Sequence, residues 1–297
     1  MKTETAGTDE PHATAPEGVA DFEAHRPFLR GLAYRMLGSV AEAEDVVQDA
    51  FLRWREVDRP AVTEPRAYLA RVVSRLCLDR MKSASHRREE YVGMWLPEPV
   101  VAEPAQGLAD DLSVALLLAL ERLSPLERAA FLLHDVFDMD YAAVGEAIDH
   151  SESACRQLAA RARAHVRQDR PRYPAGEAEG RALADAFVMA AATGDVAGLA
   201  RLLADDVVLY ADGGGKRRAA LNPIVGKDKI VRFYEGILAK GAGAFTAKRV
   251  EPVTLNGLPG FVFETTEGTE TLAVEVAGGA IVALYNVRNP DKVRHLA

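Results

Sequence analysis

Cysteine is scarce in this chain. Cys77 and Cys155 are the only two; they stand in separate segments, and neither belongs to a CxxC or a Cys/His ligand spacing. That excludes the common zinc sites, and no metal or cofactor is expected. Both thiols are expected reduced, in packed interiors. Long apolar runs are also missing. The longest, around Val114 to Leu120, falls far short of the roughly 20 residues that cross a bilayer. The N-terminus carries Glu4, Asp9, Glu10 and Glu17 where a secretory leader would be basic and then apolar. Neither a membrane span nor export is expected, which points to the cytoplasm. Positive charge is in deficit, 36 Lys and Arg against 44 Asp and Glu. Taken globally that argues against a nucleic-acid partner, but the basic residues are not evenly spread.

What is present is enough for packed cores, with 48% hydrophobic and 27% charged residues among 297, a length that suggests about two domains. Residues 1–18 show no apolar period and read as a disordered tail. Residues 19–88 read as all helix. Phe28, Leu32 and Met36 mark a first helix. A second starts near Ser39, with Val47, Ala50, Phe51 and Trp54 as its apolar stripe and Glu42, Glu44, Asp45, Gln48 and Asp49 facing elsewhere. A third opens at Glu64-Pro65. Residues 89–108 hold Pro97, Pro99 and Pro104 and read as a linker, although Trp95 and Leu96 are too apolar for an idle spacer. Residues 109–171 are helical again. Ser124-Pro125-Leu126-Glu127 is a capping box with a proline start. Residues 176–297 change character. Two amphipathic helices, around Leu183 to Ala191 and Leu199 to Leu203, precede strand-like segments at Val207–Tyr210, Ala247–Leu255, Gly260–Thr265, Glu270–Val276 and Ala280–Val287. Asn256-Gly257 and Gly278-Gly279 are hairpin turns. The pattern is an α+β domain, two helices followed by an antiparallel meander.

Three constellations carry chemistry. From Arg66 to Arg88 stand seven basic residues (Arg66, Arg71, Arg75, Arg80, Lys82, Arg87, Arg88) and one acid, Asp79. So concentrated a positive helix suits DNA phosphates and bases better than it suits a plain solvated face. Tyr141 to Arg170 reads as short helix, tight turn, capped longer helix, the helix-turn-helix layout. Ala142, Ala143 and Ile148 would pack on Cys155 and Leu158, leaving Ser153, Arg156, Gln157 and Ala160 or Arg161 outward, where Arg reads guanine and Gln reads adenine. Asp212-Gly213-Gly214-Gly215-Lys216 invites comparison with a phosphate loop. It lacks the GxxxxGK[ST] spacing and a following helix, so it reads as a turn.

The first two segments together resemble the two conserved regions of extracytoplasmic-function sigma factors. The resemblance covers residues from about 22 to 170. It rests on the string from Ala41 to Phe51, on Arg66-Ala67-Tyr68-Leu69 with Leu78-Asp79-Arg80, and on Leu123 to Arg128 leading into the helix-turn-helix. It implies that Asp45, Gln48 and Asp49 dock on the clamp helices of the RNA polymerase β′ subunit. Arg71, Arg75, Arg80, Lys82, Arg87 and Arg88 would bind and help melt the minus-ten element. Ser153, Arg156, Gln157 and Arg161 would read the minus-thirty-five element, and Phe131 and its neighbours would seat the β flap tip. The family turn often has Gly where this chain has Asp149, a residue that tolerates the left-handed conformation better than most. The last domain resembles the SnoaL-like cone fused to one subgroup of these factors, through Trp95-Leu96-Pro97-Glu98-Pro99, Asp212 to Lys216, and Asn289-Pro290-Asp291-Lys292. By that resemblance Trp95, Leu96, Pro97, Asp212, Lys216, Asn289, Pro290, Asp291 and Lys292 are regulatory. The domain would act in cis, with no separate anti-sigma factor. Relatives of the cone include isomerases and cyclases, and Tyr210, Asp212 and Tyr234 are candidate pocket residues. No paired carboxylates or nucleophile-base spacing stand out, so no catalysis is expected. Two other readings remain: an enzyme whose helical part only targets it, and a plain repressor. The acidic docking helix argues against the repressor.

Overall fold

The computed structural model describes residues 17–58, 62–89, 91–101, 113–168, 176–240 and 247–296; of 17–18, 83–89 and 167–168 it describes the backbone alone. The expected disordered tail thus lies almost wholly outside the described residues, as does the end of the linker.

Three helices open the chain: α1 (Glu17–Leu37), α2 (Val40–Glu56) and α3 (Pro65–Glu89). Ser39 caps α2 by accepting from the Glu42 amide, and α3 begins at the expected proline. Four more follow: α4 (Val114–Glu121), α5 (Pro125–Phe131), α6 (Tyr141–Ile148) and α7 (Glu152–Gln168). The Ser124/Glu127 capping box is complete in both directions. A π-helical turn, Leu132–Val136, continues α5. Asp149 closes α6 in the left-handed conformation at φ 59°, and the Ser151 hydroxyl accepts from the Ala154 amide at the start of α7. The helix-turn-helix geometry is therefore present. Its packing differs from expectation in one respect: Val144 and Ala147 join Ile148 in the core against Cys155 and Leu158, while Ala142 is exposed.

These seven helices share one apolar core. Phe22, Leu32 and Trp54 from the first set belong to the same cluster as Leu120, Phe131 and Val144 from the second. Cys77 and Cys155 both sit in it, unpaired and buried, and burial pushes both thiols up from their ordinary range.

The C-terminal domain holds α8 (Glu177–Thr193), α9 (Val196–Leu202), β1 (Leu203–Asp212), β2 (Ile224–Val225), α10 (Lys227–Ala239), β3 (Arg249–Leu255), β4 (Leu258–Thr265), β5 (Gly268–Ala277), β6 (Ala280–Val287) and the short α11 (Pro290–Val293). One sheet runs β2-β1-β6-β5-β4-β3. The meander β3 to β6 is antiparallel as expected. Two features correct the sequence reading. A third helix, α10, intervenes, and β1 joins the sheet parallel to β6. The α10 stretch was easy to miss because its apolar positions, Ile230, Val231, Phe233, Tyr234 and Ile237, follow a turn-rich segment.

Strand alternation splits the sheet into two faces. Leu209, Leu272 and Leu284 turn toward α8 to α10 in the domain core. Tyr210, Ala273, Tyr285 and Val287 turn the other way, onto Leu96 of the linker and Val114 and Leu118 of α4.

Candidate functional site

Asp212 is the centre of the best-defined polar cluster. It ends β1, and alternation puts it on the linker face, fully buried. Its carboxylate accepts from the Tyr91 hydroxyl at 2.6 Å, the Leu96 amide at 2.9 Å, the Gly214 amide at 3.0 Å and the Lys292 ammonium at 2.8 Å. Lys292 also donates to the Leu96 carbonyl and lies 4.0 Å from the Trp95 ring centroid and 5.0 Å from that of Tyr91. Asn289 caps α11 and donates to the Tyr91 hydroxyl at 2.8 Å. Burial, and then the adjoining Asp212 carboxylate, push the Tyr91 hydroxyl far up, so it stays a donor. Gly214 has φ +60°, and a Cβ there would collide with the Asn289 amide; the glycine is required by both the turn and the contact. Lys216 pairs with Asp291 at 2.5 Å on the exposed side. The three strings singled out in the sequence thus meet in one clamp around the linker.

The linker is gripped again further on. Glu98 accepts from the Ser39 hydroxyl at 2.8 Å and the Val40 amide at 2.7 Å, placing a carboxylate at the positive end of α2. The Tyr34 hydroxyl of α1 donates to the Glu98 carbonyl and accepts from Asn256 Nδ2, both at 2.7 Å. Asn256 Oδ1 accepts from the Val100 amide at 3.0 Å, and His295 Nε2 donates to the Pro99 carbonyl at 2.8 Å. One tyrosine therefore ties the first helical region, the linker and the last domain together. Leu96 and Pro97 are buried and Trp95 is half-buried. The Trp95 ring lies so close to Gly38 that no Cβ would fit there.

The basic helix α3 is not open. Arg71 pairs with Glu146 of α6 at 3.6 Å, and Arg75 donates to the Glu146 carbonyl at 3.3 Å. Arg66 stacks over Phe28 at 4.6 Å and donates to the Phe137 carbonyl at 3.4 Å. Arg80 turns back to α2, reaching Asp45 at 3.4 Å and Asp49 at 3.1 Å. Lys82 pairs with Asp79 at 3.2 Å. Arg87 and Arg88 lie on α3, but their side chains are outside the described residues. On α7, Ser153, Arg156, Gln157 and Arg161 are all exposed as expected. Arg156 pairs with Glu152 and lies over Tyr141 at 5.1 Å; Arg161 pairs with Glu127 at 2.8 Å.

Two family descriptions match the helical part: Sigma-70 region 2 over residues 22–87 and Sigma-70, region 4 over residues 113–166. Across nearly the whole length the chain is similar to the ECF RNA polymerase sigma factor SigJ of Mycobacterium tuberculosis, 40% identical over 290 residues and covering 92% of both chains. The chain belongs to the extracytoplasmic-function sigma factors. It is also 37% identical over 282 residues to the probable ECF sigma factor SigI of the same species, covering 92% of this chain and 93% of that one. The crystal structure of the M. tuberculosis SigJ superposes with a TM-score of 0.77, covering 93% of this chain and 98% of the other. The similarity extends through the SnoaL-like cone, and the reading of an enzyme with a targeting helical part is not favoured.

In this sigma factor the cone residues sort themselves by strand face. Tyr234 lines the cone cavity. Tyr210 and Asp212 do not; they face the linker side, where Tyr210 stacks on Tyr285 at 5.3 Å. A period of two along β1 puts Tyr210 and Asp212 together and apart from Leu209 and Ala211, a separation legible in the sequence once the strand is placed. Sequence reasoning gave no role to Tyr34, Tyr91, Glu98, Asn256 or Glu146. Asn256 was visible only as a turn residue, because its φ of 48° and its side-chain contacts use the same residue twice. It also passed over Leu52, 47% exposed on α2, about one turn beyond Asp49 and two beyond Asp45.

Proposed function

We propose that this sigma factor directs RNA polymerase core to its promoters and that the closed form described above is its resting state, held in cis by the C-terminal domain. The observation that carries this reading is that one structure uses the promoter-facing arginines of α3 to hold region 4. Arg71 and Arg75 are spent on Glu146 of α6. The minus-ten and minus-thirty-five elements are centred about 25 base pairs apart, roughly 85 Å at 3.4 Å per step. Two regions with helices in direct contact cannot reach both. The clamp on Leu96 and Tyr91 shortens the tether that would have to extend.

In the open form, Asp45, Gln48 and Asp49 dock on the β′ clamp helices, with Arg80 released from the two aspartates. Arg71 to Arg88 take the minus-ten strand, where stacking and positive charge serve an unpaired strand. Ser153, Arg156, Gln157 and Arg161 read the minus-thirty-five element in the major groove, and the Phe131 region meets the β flap. Core polymerase competes with the internal contacts and shifts a population; a separate anti-sigma factor is not needed. The cone does no chemistry in this scheme, and the protein works beside polymerase in the cytoplasm. The domain limits that serve this division are 19–88, 109–171 and 176–297.

The test is transcription in vitro with purified core. Wild-type protein is expected to start from a cognate promoter. Asp45→Arg with Asp49→Arg is expected to lose core binding while keeping its helical signal. Lys292→Met is expected to bind core more tightly than wild type. Unchanged core affinity in the double variant removes the docking assignment, and unchanged affinity in Lys292→Met removes control in cis.

A further inference from the structure

Arg156, exposed on α7, has a particular seat. Its Nη2 donates to Glu152 one turn back, and its guanidinium lies over the Tyr141 ring, 5.1 Å from the centroid. These are its polar and ring contacts among the described residues, so most of its guanidinium N–H groups are left for a base. Arg161, further along α7, is held in another way, by an ion pair to Glu127 at 2.8 Å.

Tyr141 is itself fixed from several sides. It opens α6 directly after the Asp140 cap. Its hydroxyl accepts from Arg163 Nη1 and Nη2 at 3.3 and 3.4 Å. Arg163 Nη1 in turn donates to both carboxylate oxygens of Asp135, at 2.8 and 3.0 Å. The His134 ring stacks on Tyr141 with centroids 3.8 Å apart, and His134 Nδ1 donates to the Met139 carbonyl at 2.8 Å, which sets the imidazole plane. A ring stacked that closely fills one face of Tyr141, so Arg156 takes the other. His134 and Asp135 both belong to the π-helical turn that continues α5, a kind of turn that recurs at functional positions. The hydroxyl is anchored, one face is backed, and the remaining face carries Arg156.

A long exposed arginine samples many rotamers, and ordering it on DNA costs entropy. A carboxylate partner restricts it but takes an N–H and keeps a negative charge beside the DNA phosphates. An aromatic ring takes no N–H. It attracts the cation through its π-face and leaves the donors free for guanine O6 and N7, the bidentate arginine contact. Tyr141 is therefore able to hold Arg156 while Arg156 is on a base. We propose that Tyr141 is a positioning residue for promoter reading: backed by His134 and anchored by Arg163, its ring presents Arg156 to a guanine of the minus-thirty-five element and sets how strongly that base is preferred. This rests on the reading of Arg156 proposed above.

The test uses holoenzyme assembled from core polymerase and the full-length sigma factor. It is placed on a cognate promoter and on promoters with each single substitution in the minus-thirty-five element, and relative affinities are read by competition. Arg156→Ala first marks the base pair that Arg156 reads, expected to be G·C. Tyr141→Leu is expected to lower the preference at that base pair by about fivefold, the size of a modest cation–π contact, and to alter other positions by less than about twofold. In the Arg156→Ala background, Tyr141→Leu is expected to change nothing further at that base pair. Tyr141→Phe keeps the ring and is expected to restore most of the preference. Tyr141→Met is the second variant if Tyr141→Leu does not fold. An equal loss at every position would make Tyr141 a phosphate contact or a support of the fold, and additive losses in the double variant would mean that the ring does not act through Arg156. Either result overturns the proposal, as does a Phe variant as impaired as the Leu variant. If Arg156→Ala flattens no position, the reading of Arg156 falls and this proposal with it. If it flattens one and Tyr141→Leu leaves that one intact, only the role of Tyr141 falls.

Discussion

The closed form is held by two joints built on opposite principles. Where region 2 meets region 4, an apolar core is edged by ion pairs that stay in contact with water: Arg71 is 35% exposed and its partner Glu146 75%. Where the linker meets the C-terminal domain, the ion pair is buried, Lys292 at 9% and Asp212 at 0%, and the Asp212 carboxylate accepts three further hydrogen bonds, from Tyr91, Leu96 and Gly214. Exposed pairs contribute about 0–1 kcal/mol. Removing one partner of a buried pair costs roughly 3–5 kcal/mol, because the other charge stays behind. The ion pairs of the first joint can therefore be exchanged for DNA phosphates at little cost, its apolar core being the part that resists opening, whereas the second behaves as an all-or-none latch.

The largest effect belongs to that latch. Lys292→Ala leaves Asp212 with three hydrogen bonds and no counter-charge, so a loss near the lower end of roughly 3–5 kcal/mol is expected. Urea unfolding followed at the C-terminal domain would show it, and small-angle scattering would show a larger radius of gyration. Wild-type dimensions together with wild-type stability would mean that the two joints do not differ in the way described.

Next is the tyrosine at the three-way contact. Tyr34→Phe strands the Glu98 carbonyl and Asn256 Nδ2, an expected cost of about 1–3 kcal/mol. A double-mutant cycle with Asn256→Ala separates this bond from general loosening: coupling near zero would show that the hydroxyl ties nothing together.

How much of this was open to reading from the sequence depends on the range of the interaction. Ser39, Pro65, the Ser124/Glu127 box and the Asp149 turn are local devices whose partners lie within a few residues, and each stands where it was expected. The strings around Trp95, Asp212 and Asn289 were recognisable as strings, but their meeting was not, because Tyr91 and Asp212 are joined across the whole helix-turn-helix region. Glu146 could not be found at all. It is an ordinary exposed acid on α6, and only the docking of region 4 on α3 gives it two arginine neighbours. The parallel pairing of β1 with β6 escaped for the same reason, since strand periodicity fixes the faces of a strand and says nothing about its neighbour.

A smaller effect tests the region 2–region 4 joint. Glu146→Ala is expected to change stability by less than about 1 kcal/mol while freeing Arg71; Arg75, which bonds to the backbone carbonyl, keeps its contact. Affinity for a forked minus-ten duplex should rise, and the dependence of log K on log salt should steepen by about one for each phosphate gained. Titrations by fluorescence anisotropy at three salt concentrations would measure it. A stability loss well above that range, or an unchanged salt slope, would place the weak joint elsewhere.

The smallest effect concerns a buried acid on the linker face of the sheet. Glu275 accepts from the Tyr285 hydroxyl at 2.6 Å, and burial raises its carboxyl above the ordinary range, with that hydrogen bond pulling the other way. A carboxyl whose folded pKa is raised binds its proton more tightly in the native state. Its contribution is fully present below the unfolded value and is lost as pH rises through the folded one. Above that folded value the site holds a charge it disfavours. Glu275→Gln removes that charge and can keep the bond to Tyr285, so the variant is expected to melt slightly higher than wild type near pH 7. The gap should close as pH falls below the ordinary carboxylate range, because wild-type Glu275 is then neutral as well. Thermal unfolding of both proteins across pH 4 to 8 measures the difference. A gap that widens toward acid would mean that the Glu275 charge is stabilised by the fold, and the linker face would then hold a second matched charge beside Asp212.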